Sequence, residues 1–257
     1  MIQCTEKAFG VSARRRSSAR QNRYVPPPEF YEIPVEEALR LSDRTGTPKQ
    51  LDLLVSEEMT KSSGVTHFFY SGDISLLRRP CVAIVGTRQV SREGATRTER
   101  LARELVREDI VVVSGAAAGV DTCAHSAAIE AGGKTIAIIG TPLDRAYPAE
   151  NAILQQKIYE NHLLISQFQP GTRVGRTNFP QRNKLMATLS DATVVMEASD
   201  TSGTLHQAAE CKRLGRWLFI ARSVVEDRAL SWPRTFLKYE RCVPLDHVSD
   251  IISRVKK

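Results

Sequence analysis

The sequence of 257 residues has no apolar run approaching the roughly 20 residues a membrane-spanning helix requires, so it offers no candidate span. Its five cysteines, Cys4, Cys81, Cys123, Cys211 and Cys242, are odd in number and scattered, with no C-x-x-C pair. That argues against a disulfide framework and for reduced packing thiols of a cytoplasmic protein. Neither Cys123 with His125 nor His206 with Cys211 has the spacing of a structural zinc site, and no metal is expected. There is no G-x-G-x-x-G and no G-x-x-x-x-G-K-[ST]. Dinucleotide binding and nucleoside triphosphate hydrolysis therefore lack their usual loops, and no cofactor is expected. Internal repeats and coiled-coil heptads are also missing, which sets aside solenoids and long zippers.

With 42% hydrophobic residues the chain can bury a proper core. The formal charge of +7 favours an anionic partner, and it is unevenly spread. Lys7, Arg14, Arg15, Arg16, Arg20 and Arg23 face only Glu6 and Glu29 in the first 30 residues. Low apolar content up to Pro26-Pro27-Pro28 suggests a basic, disordered tail over 1–28. Residues 29–75 carry two helical patterns, Val35 to Leu41 and Pro48 to Met59, and are expected to form a small helical segment packed on the main body.

The main body, 76–257, is organised around three apolar runs that each end on glycine. Val82 to Val85 ends at Gly86, Ile110 to Val113 at Ser114-Gly115, and Thr135 to Ile139 at Gly140. Each is followed by a helical pattern, as parallel strands joined by crossover helices read. Further strands are expected at Leu163 to Ser166, Ala192 to Glu197 and, last and buried, Trp217 to Ala221. The fold class is α/β, an extended Rossmann-like, doubly wound and mostly parallel sheet with helices on both faces. All the glycine ends then lie on one edge, where helix N-termini attract anions.

Candidate residues follow from that edge. Gly86, Thr87, Ser114, Gly115, Gly140 and the helix start Ser202-Gly203-Thr204 are expected to let a phosphate approach the backbone. Arg88, the first side chain beyond its strand, either reaches a phosphate or pairs with a surface carboxylate. Asp121 and His125, one helical turn apart, are an acid/base pair or, as we read them, a structural cap and its partner. Arg173 to Lys184, R-V-G-R-T-N-F-P-Q-R-N-K, places Arg173, Arg176, Arg182 and Lys184 around Phe179 and Asn183 with no carboxylate. An unmixed cation run suggests phosphates, with Phe179 either stacking on a base or lying in the core.

The segments VAIVGTR (82–88), SGAAAGVDTCAH (114–125), GGKTIAIIGTPLDRAYPAEN (132–151), FPQRNKLMATLS (179–190) and VVMEASDTSGTLHQA (194–208) resemble, in order and spacing, the DNA-processing protein A family, DprA/Smf. The resemblance runs from about Phe68 to Phe219 and does not extend to the C-terminal winged-helix domain of many members. It implies a Rossmann-like domain that binds single-stranded DNA as a homodimer without known catalysis. It also implies protection of that DNA and loading of a RecA-type recombinase in natural transformation or recombination. DNA contact would fall to Arg88, Arg173, Arg176, Arg182 and Lys184. Ala116 and Ala118 stand where the family usually has leucine and arginine, so one cation is missing from the second turn. The same edge resembles, more distantly, nucleotide phosphoribohydrolases with P-G-G-x-G-T-x-x-E. Only Ser202-Gly203-Thr204 survives here, and His206-Gln207 takes the place of the catalytic glutamate, although Glu197 is nearby. A nucleotide sensor or hydrolase is thus the alternative, and a module whose basic tail reaches DNA or an acidic partner is a third.

Overall fold

The structure is a computed structural model that describes residues 9–10, 24–41 and 65–256. Its strands are β1 (Phe9–Gly10), β2 (Glu29–Pro34), β3 (His67–Gly72), β4 (Cys81–Gly86), β5 (Val111–Ser114), β6 (Thr135–Ile139), β7 (Leu163–Ser166), β8 (Ala192–Glu197), β9 (Trp217–Ala221) and β10 (Cys242–Leu245). Its α-helices are α1 (Val35–Leu41), α2 (Arg92–Arg107), α3 (Val120–Glu130), α4 (Ala152–Asn161), α5 (Asn178–Thr188), α6 (Thr204–Arg213), α7 (Arg222–Val225), α8 (Trp232–Phe236) and α9 (Val248–Val255).

One 10-stranded sheet runs in the order β1-β2-β3-β7-β6-β5-β4-β8-β9-β10. From β7 to β10 all neighbours are parallel, while β3 joins β7 and β2 joins β3 antiparallel. Every residue of β5, β6 and β7 is buried, as in a sheet covered by helices on both faces. The chain steps outward through β4, β5, β6 and β7, then returns to lay β8 against the other side of β4. Right-handed crossovers consequently put α2 and α3 on one face and α6 on the other, and the pairs α2/α3 and α5/α6 pack together. The two halves part beyond the carboxyl ends of β4 and β8, where a doubly wound sheet leaves a crevice.

Local chemistry starts each element. Ser91 caps α2, its Oγ accepting from Gly94 N at 2.9 Å, and the helix buries Thr98, Leu101, Ala102 and Leu105. Gly119, at φ 77°, turns the chain into α3, and a Cβ there would sit 2.6 Å from the Arg88 carbonyl oxygen.

Three expectations need correction. Residues 24–28 are packed, not a loose tail: Tyr24 donates to Leu143 O at 2.7 Å, Tyr159 donates to Val25 O at 2.9 Å, and residues 9–10 pair with β2. The expected helical segment holds α1, but its ends are strands β2 and β3, which extend the main sheet; its second pattern, Pro48 to Met59, falls outside the described residues. β9 is not last, because β10 pairs beyond it. Among the described residues no helix is long and apolar enough to cross a membrane.

Candidate functional site

The crevice between β4 and β8 is a cavity of about 310 Å³ lined by the end of β4, the first turns of α5 and α6, and the turns leading out of β5 and β8. The loop carrying Arg88 is fixed from three sides. Thr87 N donates to Glu197 O at 2.7 Å, Val120 N donates to Thr87 O at 3.2 Å, and Thr204 Oγ1 donates to Gly86 O at 3.1 Å. Arg88 itself is exposed, its guanidinium carbon 5.2 Å from the Phe179 ring centre and 6.0 Å from that of Tyr147. Both distances fall within cation–π range.

Helix α5 lies across the ends of β5 and β6 and plants two side chains there. Arg182 reaches over β5 so closely that a Cβ on Gly115 would overlap its Nη1, and that nitrogen donates to Ile138 O at 2.9 Å. One turn earlier, Phe179 covers Gly140, where a Cβ would stand 2.7 Å from the ring. Asn183 donates to Gly203 O at 3.3 Å, tying α5 to the start of α6. Arg182 is only 6% exposed and its Nε has no protein partner, yet the side chain lines the cavity. One N–H of this buried cation is thus left without a protein acceptor, although Asp121 offsets part of its charge. Burial lowers its pKa, with Asp121 opposing and Arg88 adding to the shift; a guanidinium still keeps its proton.

Asp121, among the described residues lining the cavity, is the one carboxylate. Its Oδ2 accepts from Ala117 N at 3.2 Å, so it ties down the β5–α3 turn. Burial raises its pKa and Arg182 pulls it back. Glu197, the other carboxylate near the edge, accepts from Ser91 N at 3.2 Å and from Ser91 Oγ at 2.8 Å. It is committed to the start of α2.

Arg88, Phe179, Arg182, Asn183, Gly86, Thr87, Ser202, Gly203 and Thr204 meet at the cavity. Arg173 and Arg176 are exposed on the loop from β7 into α5, which leaves the same sheet edge, and Lys184 is half-buried; none of the three lines the cavity. Arg182, expected at the site, is buried and forms its floor. Several expected roles are corrected. Gly115 and Gly140 make room for Arg182 and Phe179 instead of for a ligand. Ser114 is buried and its Oγ donates to Ile84 O at 2.7 Å. His125 is not the partner of Asp121, because its Nδ1 meets Thr135 Oγ1 at 2.7 Å. Sequence reading missed Tyr147, whose ring lies 5.4 Å from that of Phe179 and which is 45% exposed. Its signal was that it lies in the segment 132–151, shortly beyond the turn after β6.

Fold and crevice together define a doubly wound α/β protein with a cationic site at its switch point. The model of the family DNA recombination-mediator protein A matches residues 52–256, and the chain belongs to that family. It is 44% identical over 151 residues to DNA processing protein DprA of Streptococcus pneumoniae, covering 59% of this chain and 53% of the relative. Protein Smf of Synechocystis is 41% identical over 140 residues, 54% of this chain and 35% of that one. The chain thus spans about half the length, or less, of these curated relatives. The X-ray structure of the pneumococcal DNA processing protein A matches with a TM-score of 0.69 and 37% identity, covering 75% of this chain and 68% of that one. A Helicobacter pylori DNA processing protein A structure, concerned with its single-stranded DNA binding mode, matches at 0.68 and 25% identity, covering 87% and 94%.

Proposed function

We propose that this protein binds single-stranded DNA along the cationic edge of its sheet and catalyses no reaction on it. One observation carries the reading: exposed Arg88, buried Arg182 and the N-terminus of α6 converge on a cavity where Asp121, the one carboxylate among the described lining residues, is spent on a turn. Arg88 and Arg182 supply charge, Gly203 leaves open space within 4 Å of its Cβ position at the helix start, and Arg173 and Arg176 carry the strand onward from the rim. Among the described residues that line the cavity Asp121 is the one carboxylate and it holds a turn, while nearby Glu197 is committed to Ser91, so neither is placed for general acid or base work. The wider reading, in which the protein protects the strand, loads a RecA-type recombinase and acts as a cytoplasmic homodimer in transformation or recombination, rests on family membership.

A volume of about 310 Å³ also suits a small ligand, which favours a nucleotide sensor as the second reading. A salt-titrated comparison of single-stranded DNA, duplex DNA, RNA and nucleoside monophosphates separates the two. On our reading single strands bind most tightly, and Arg88→Ala weakens all sequences alike while reducing the log–log salt slope by about 0.7. Binding of the monophosphates alone would leave the sensor standing and remove the DNA reading.

A further inference from the structure

Beside the cavity, against the lining residues Phe179 and Arg88, stands an exposed ring that phosphate binding does not use. Tyr147, at 45% exposure, is one of three large hydrophobic side chains that stand out from the described surface, with Val25 and Ile153. Phe179 is walled in by comparison. The Gly140 backbone lies against its edge, the Arg88 guanidinium sits 5.2 Å from its centre, and Tyr147 leans on it with ring centres 5.4 Å apart at 49°. Rings tilted by 49° cannot both lie flat against one base, so the open ring is the one available for stacking.

The loop that presents Tyr147 is held before any ligand arrives. Thr141 Oγ1 donates to Arg145 O at 2.7 Å, Arg145 N donates to Pro142 O at 3.1 Å, Tyr24 donates to Leu143 O at 2.7 Å, and Gly171 N donates to the Asp144 carboxylate at 2.8 Å. A ring fixed on such a loop loses little freedom on binding. Resting on the single-strand reading, we infer that Tyr147 is the platform on which an unpaired nucleobase stacks, with Phe179 as its backing and Arg88 joining it to the neighbouring phosphate. Paired bases hide their faces within the duplex stack and cannot use the platform, so Tyr147 selects single strands over duplex.

The test compares an oligothymidylate with an abasic strand of equal length, which keeps the phosphates and removes the bases. Fluorescence anisotropy is measured for the wild type, Tyr147→Phe, Tyr147→Ala and Arg88→Ala. Tyr147→Ala should weaken oligothymidylate binding about tenfold, leave the abasic strand unaffected and keep the salt slope, while Tyr147→Phe stays within about twofold of wild type. Arg88→Ala should weaken both strands and lower the slope. Equal binding of oligothymidylate by wild type and Tyr147→Ala, or equal losses on both strands, would overturn the stacking role while leaving the DNA reading intact. Failure of the wild type to bind either strand would remove both.

Discussion

Gly115 and Gly203 lie on the same sheet edge but should respond in opposite ways to one added methyl group. At Gly115 the methyl would overlap the Arg182 guanidinium, which must then give up its bond to Ile138 O and shift into the cavity. Overpacking of this kind costs about 1–3 kcal/mol. At Gly203, with φ −60° and nothing within 4 Å of the Cβ position, the backbone already suits alanine. There the restricted unfolded chain leaves stability unchanged or about 0.5 kcal/mol higher. Urea denaturation of Gly115→Ala and Gly203→Ala reads the difference directly, and equal midpoints would show that Arg182 does not occupy the space over Gly115. Gly115→Ala should also weaken single-strand binding, since it displaces the buried cation from the floor.

Glu197 acts on an element rather than on a ligand, because its carboxylate holds the first turn of α2 through the Ser91 amide and hydroxyl. Glu197→Gln should therefore cost about 1 kcal/mol of stability in denaturant, the usual worth of a helix cap, and leave DNA affinity within about twofold. A large loss of affinity with stability intact would instead place the carboxylate at the ligand. Elements of this kind show what was legible in the sequence. The parallel strands were, because β5, β6 and β7 are buried on both faces and so appear as unbroken apolar runs. β2 and β3 were harder to see: Glu29–Pro34 mixes glutamates, tyrosine and proline, and only Phe30 and Ile33 of it are buried. The family motifs and the sheet edge were readable, yet the division of labour along them was not. A glycine that admits a ligand and one that admits a side chain from a distant helix look alike in sequence. Only the packing of α5 shows that Gly115 and Gly140 belong to the second kind. Likewise Arg182, in a run of cations, carries no sequence mark of its burial.

At the scale of the whole molecule, two buried histidines make the fold sensitive to mild acid. His125 is fully buried, with Nδ1 against Thr135 Oγ1 and no protein partner for Nε2. Burial, reinforced by His162 and Arg182, lowers its pKa to about 3, against the ordinary 6.5. His162, whose Nδ1 also lacks a partner, is lowered to about 4 by burial and by Lys134. A depressed histidine pKa means that the unfolded chain takes up the proton first. Their contribution to stability is then flat well above pH 6.5, the unfolded value, and falls as the pH drops through it toward the folded values. Between pH 6.5 and pH 5 the His125 share of that fall is on the order of 2 kcal/mol. Asparagine can keep the contact with Thr135 while lacking a proton to gain, so His125→Asn should start less stable at pH 7 and lose less on acidification. Urea midpoints measured for both proteins at half-unit steps from pH 7.5 to pH 5 provide the check. Parallel curves would mean that His125 does not carry the acid sensitivity, whereas convergence toward pH 5 would tie it to the proton that this buried ring refuses.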